Sequence, residues 1–149
     1  MVRVTLILFL LTVNVQAEDM VNLAITSYKS GDSHKATSIL KEISSQSGQF
    51  KRSIETLIKI YYKERLWPRV FGLGTFYRHN FKNHADFSMN VASLEVLGLA
   101  QNCQYEIAQK LMESLAQGHG EKLGYKALQE NLKIAISYGL KEDKLKEVT

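Results

Sequence analysis

The chain has 149 residues, 45% hydrophobic and 23% charged, with a formal net charge of +4. That is the length of one domain, and the composition excludes wholesale disorder. So mild a charge permits an acidic partner but lacks the basic excess of a nucleic-acid binder.

In chain order, residues 1–17 (MVRVTLILFLLTVNVQA) come first. One cation, Arg3, precedes an apolar run from Val4 to Val13, and Val15-Gln16-Ala17 supplies small residues for cleavage. This layout predicts a secretory signal peptide cut after Ala17. The run is about half of the ~20 residues needed to cross a bilayer as a helix, so no stable membrane anchor is expected. No cysteine follows Ala17 closely, which leaves a lipoprotein-type attachment without its acceptor. Cys103 is the only cysteine, so an internal disulfide is impossible. No Asn-x-Ser/Thr site occurs either. Together these features predict a periplasmic or secreted bacterial protein whose single domain runs over 18–149.

Past the leader, apolar residues keep helical spacing. The stretch YKSGDSHKATSIL (28–40) reads as a helix end, a Gly31-Asp32 turn and a second helix start. Ala36, Ile39, Leu40 and Ile43 form one stripe. Ile54, Leu57, Ile58, Tyr61 and Tyr62 form the next, behind Ser53 as a candidate N-cap, and Ala108, Leu111, Met112 and Leu115 another. Residues 70–77 (VFGLGTFY) hold two glycines and several β-formers, the marks of a strand. Val70, Gly74, Tyr77 and Phe81 nevertheless keep one helical face, so a helix is predicted, opened by Pro68 in its first turn. Gly72 and Gly74 would then make room for bulky neighbours such as Trp67. Breaks fall at Gly31-Asp32, Ser44–Gly48, Arg65–Pro68, Asn80–His84, Gln101–Cys103, Gly118–Gly120 and Gly139. Helices of about 12–17 residues between such breaks predict an antiparallel all-α array.

The pattern also repeats. A shift of 34 residues carries Ala24 to Ile58, Tyr28 to Tyr62 and Ala36 to Val70. A further 38 carries Ile58 to Val96 and Val70 to Ala108, and 36 more carries Val96 to Leu132. The stretch LAITSYKSGDSHKATSILKEI resembles a tetratricopeptide repeat. It has an apolar-small pair (Leu23-Ala24), an aromatic (Tyr28), a Gly-Asp turn, then a small residue (Ala36) and a large one (Leu40). CQYEIAQKLMESL resembles the second helix of another unit. The resemblance covers residues 20–139 and implies a short right-handed α-solenoid of about three and a half units. KEDKLKEV would close it as a polar half-unit. An open end leaves room for pairing into a homodimer.

The sequence holds no G-x-S-x-G, H-E-x-x-H, P-loop or paired cysteines, so neither an enzyme nor a cofactor is predicted. His34, His79, His84 and His119 read as surface residues rather than metal ligands, and Cys103 as a free turn cysteine. By the resemblance, the first helix of each unit lines a concave groove that accepts a peptide or helix. Its positions would be Ile25, Tyr28 and Lys29, then Arg52, Glu55, Lys59, Tyr62 and Lys63. Ser93, Leu97 and Gln101 follow, then Lys126, Gln129 and Lys133. Lysines and tyrosines on such a face suit an acidic segment or a chain-terminal carboxylate. The expected function is that of an adaptor or assembly factor in the cell envelope. Two alternatives stand beside it. An inhibitor or immunity-type protein would use a protruding loop or a convex face instead of the groove, and an exposed apolar patch around Trp67, Phe71 and Phe76 would favour a partner docking on the outside. A small envelope-acting enzyme would need an acid such as Glu64 or Asp86.

Overall fold

The computed structural model describes residues 20–119, Lys126, Gln129, Glu130 and residues 132–134. The predicted signal peptide, the break at Gly139 and the closing half-unit lie outside these residues. Every regular element among the described residues is a helix, as the apolar periodicity predicts. They are α1 (residues 20–29), α2 (Ser33–Glu42), α3 (Phe50–Lys63), α4 (Trp67–Phe81), α5 (Met89–Gln101) and α6 (Tyr105–His119). Lys126, Gln129, Glu130 and residues 132–134 are helical as well. The chain divides into two compact units, Met1–Ile60 and Tyr61–Thr149.

In the first unit, Val21, Ala24 and Ser27 of α1 are buried, as are Ala36, Thr37 and Leu40 of α2. Small residues at positions 24, 27 and 36 let helix axes approach closely. The Arg52 guanidinium of α3 donates to Asn22 Oδ1 of α1 at 3.0 Å, joining the two helices. Asp32 caps α2 by accepting from the Lys35 N–H at 2.9 Å. Between α2 and α3, the Ser44 and Ser47 hydroxyls accept from the amides of Gln46 and Gln49, each at 3.2 Å. Two sequence expectations are corrected here. Ser53 is no N-cap: α3 starts at Phe50, and Ser53 is fully buried with its hydroxyl on the Phe50 carbonyl at 2.7 Å. Leu23 is 51% exposed, so the apolar side of α1 is carried by Val21 and Ala24 instead.

In the second unit α5 packs against both α4 and α6, and its buried positions go almost all the way round. That is why its sequence, MNVASLEVLGLAQ, reads as apolar with little periodicity. Residues 70–77 are helical within α4, with Pro68 in the first turn. Contacts between α4 and α5 come in reverse order along the two helices. Trp67 and Phe71 lie against Gly98, Gly74 and Thr75 against Glu95, and Tyr77 against Ser88, the N-cap of α5. The glycines act differently from the expectation. A Cβ on Gly74 would meet the Glu95 side chain at 2.7 Å, while Gly72 faces open space. The glycine beneath Trp67 is Gly98.

Tyr77 closes the α4–α5 connection. It is fully buried, its ring stacks on Phe87 at 5.3 Å, and its hydroxyl accepts from the Ser88 N–H at 2.9 Å. Tyr77→Phe keeps the stack and strips that N–H of its acceptor. We expect a loss of about 1–2 kcal/mol, read from urea denaturation.

Three of the turns are the same turn. After α1, the Asp32 N–H donates to the Ser27 carbonyl and the Gly31 N–H to Tyr28. After α3, Leu66 donates to Tyr61 and Arg65 to Tyr62; after α5, Gln104 donates to Leu99 and Cys103 to Ala100. This paired closure needs one left-handed residue, supplied by Gly31 (φ 93°), Arg65 (56°) and Cys103 (59°). Outside glycine that conformation costs about 1–2 kcal/mol. Four residues beyond the second donor amide of each turn (Asp32, Leu66 and Gln104), the next helix places a fully buried residue: Ala36, Val70 and Ala108. The turns recur at intervals of 34 and 38, the register read from the apolar pattern.

Candidate functional site

Arg52, Glu55, Lys59, Tyr62 and Lys63 follow one another at helical spacing along α3. None of them is buried. Arg52 is held by Asn22, and Glu55 takes an ion pair from Lys51 at 2.7 Å. Both charges are therefore partly spent inside the first unit, while Lys59 and Lys63, further along the helix, are exposed.

Tyr62 is the best-defined member. It is half-buried, with its ring edge-on to Trp67 at 5.7 Å and 71°. Its hydroxyl accepts from Gln101 Nε2 at 3.1 Å. The register had put Tyr62 and Gln101 on one face although 39 positions separate them, and the structure joins them. Burial pushes the Tyr62 phenol above its ordinary value of 10.0. It keeps its proton throughout the neutral range, and with Gln101 occupying a lone pair, that proton can be donated to an incoming acceptor. Two contacts fix the ring, so little side-chain entropy remains to be lost when something binds it.

The other predicted positions stay on the surface. Lys29 is exposed, Tyr28 and Ile25 are intermediate, and so are Ser93 and Leu97. Lys126 and Lys133 are exposed at helical positions and Gln129 is intermediate. Tyr28 and Lys63 both have interactions within the chain.

Two features escaped the sequence reading. Trp67 props Tyr62 from α4, with Gly98 giving it space on α5, where an added Cβ would lie 3.4 Å from the indole. The spacing of five between Tyr62 and Trp67 crosses a turn, so helical periodicity does not reveal it. The second is a buried ion pair. Glu95, 3% exposed, accepts from Arg78 Nε at 2.8 Å, from Arg78 Nη2 at 3.1 Å and from the Thr75 hydroxyl at 2.9 Å. Glu95 was visible as the lone charge in an apolar helix, and Gly74 as the gap it fills.

Cys103 is exposed, and its sulfur accepts from the Tyr105 hydroxyl at 3.8 Å. Glu64 and Asp86 are exposed. His79 and His84 are exposed, His84 against the Phe81 ring edge at 5.4 Å. Among the described residues, no group of three or more His, Cys, Asp or Glu could hold a metal ion. No described helix is long and apolar enough to cross a membrane.

No protein-family model matches the chain, and no curated protein or solved structure matches it either.

Proposed function

We propose that this chain is an exported protein–protein interaction module. In this reading it is a short tetratricopeptide-like solenoid of antiparallel helix pairs, acting as an adaptor or assembly factor by binding rather than by catalysis. The observation that carries the reading is the recurring turn at Gly31, Arg65 and Cys103, with a fully buried residue after each. A stack of like hairpins buries one side of each helix and leaves the first-helix side open for a partner. The reverse contact order between α4 and α5 suits such pairing.

The partner is an extended segment or helix carrying carboxylates. Lys59 supplies a point charge, Tyr62 a fixed flat surface and a donor, and Gln101 the group that orients it. Lys126 and Lys133 are further exposed cations at first-helix positions of the second unit, and Lys29 is one in the first. Arg52 shapes the face through Asn22.

A photo-crosslinking residue placed singly at Lys59, Leu97 or Gln101, and for contrast at Lys35 or Lys110 on second helices, tests this directly in envelope extract. The expected result is one shared adduct from the first three positions. Lys59→Ala/Tyr62→Ala should weaken its formation at least tenfold while the helical circular-dichroism signal persists. An adduct arising only from positions 35 and 110 would refute this face as the binding surface.

A further inference from the structure

The corner between α3 and α4 is filled against its own conformational interest. Its counterpart after α1 uses Gly31 at the left-handed position and Asp32 as a capping side chain. The α3–α4 corner has Arg65 in left-handed backbone and Leu66 as an N-cap that makes no side-chain cap bond. Both choices are worse for the turn than the ones the same chain makes earlier. The third turn carries Cys103 and Gln104, which are uncharged.

What these choices achieve is a surface of definite chemistry. Arg65 and Arg69 are exposed, with Lys63 just before them and Glu64 as the single acid of the corner. Leu66 is 38% exposed between the two arginines. Trp67 follows and is half-buried, and the Arg69 guanidinium sits 5.3 Å above the Tyr61 ring. An apolar tip flanked along the chain by two exposed arginines, with a tryptophan one residue away, has the composition of a segment resting at a lipid headgroup layer.

We propose that this corner makes a reversible contact with an anionic phospholipid surface. The Arg65 and Arg69 guanidinium groups meet the phosphates, and Leu66 enters the headgroup boundary. A turn tip with an outward leucine suits a flat, yielding surface better than a peptide, which needs alternate side-chain pockets to be held. Each cation near such a surface contributes about fivefold in partitioning, so the contact is weak and salt-sensitive.

Trp67 is the only tryptophan of the chain, so its emission reports on this corner alone. The full chain is titrated with vesicles of phosphatidylcholine, with equimolar phosphatidylcholine and phosphatidylglycerol, and separately with polyglutamate. Total capture is no readout, because the apolar run Val4–Val13 is present in every variant. The expected result is a blue shift with the anionic vesicles only, lost at high salt. Arg65→Gly/Leu66→Ser should weaken that response about tenfold or more while raising the melting temperature, since glycine fits φ 56° and serine can cap. Arg65→Gln, which keeps the backbone strain and removes only the charge, should weaken it about fivefold. The proposal is overturned by an equal shift with neutral vesicles, by no shift, or by an unchanged response in both variants. A response to polyglutamate as strong as that to anionic vesicles also overturns it, and would give the corner to an acidic protein.

Discussion

Arg78→Ala is expected to lower folding stability by about 3 kcal/mol, the low end of what breaking a buried pair costs. The Glu95 side chain is 4% exposed and that of Arg78 22%. Removing the arginine therefore leaves a carboxylate enclosed between α4 and α5 with the Thr75 hydroxyl as its donor, whereas the guanidinium itself is partly wet in the native protein. The cost falls on the partner left behind. Replacing both residues separates this from a lost attraction: Arg78→Met/Glu95→Leu should recover most of the stability, since well-packed apolar groups often equal a buried pair. Leucine is a natural choice, because Leu57 occupies the corresponding position 38 residues earlier and is buried there. Urea denaturation of the two single variants and the double would measure the coupling. A double variant as unstable as Arg78→Ala would contradict this account.

The second large effect contrasts two glycines only two positions apart. Gly74→Ala is expected to destabilise by about 2–3 kcal/mol, although alanine is the better helix former by about 1 kcal/mol. Its Cβ would lie 2.7 Å from Glu95 Oε2 and 2.9 Å from both Cβ and Cδ of the same residue. The near atoms include the base of the side chain, so a rotamer change alone does not relieve the clash. Either α5 moves away or the carboxylate leaves Arg78 and Thr75. Gly72→Ala meets nothing within 4 Å and should stabilise by up to about 1 kcal/mol through propensity. Opposite signs in paired thermal melts are the expected outcome. Equal effects would mean that the α4–α5 spacing is looser than the contacts around Gly74 imply.

The sequence was most legible where one physical cause acts alone. Apolar spacing located the helices because burial of one side is the main demand on α2, α3 and α6. It also carried α4 through Gly72 and Gly74, since Val70, Gly74 and Tyr77 are all buried despite poor helix propensity. It misread Ser53, a residue type that caps helices but also fills a tight buried position by bonding its own turn. It assigned Gly74 to Trp67 because a glycine announces a close approach without naming the partner. At the candidate site, the tetratricopeptide resemblance names both Tyr62 and Gln101, which the structure joins by a hydrogen bond across 39 residues, but not Trp67. The Trp67 contact depends on how the chain turns between helices: the break at Arg65–Pro68 is legible, but Arg65, an unexpected residue for left-handed backbone, gives no sign of the turn's geometry.

The interval between like turns grows from 34 to 38, and the difference is taken up inside a helix. In the earlier hairpin α2 ends at Glu42, with Ile43 as its C-cap; in the later one the residue matching Ile43 is Tyr77, and α4 runs on through Phe81. The added length is close to one full revolution of helix, which advances the chain without rotating its buried side. Length here comes in whole turns: an addition of four preserves the phase of everything downstream, whereas one of two would point it toward solvent. The extra revolution is also put to use. It holds Arg78, which neutralises Glu95, and Phe81, whose ring lies 5.3 Å from Tyr77, so the added segment secures the same interface it lengthens.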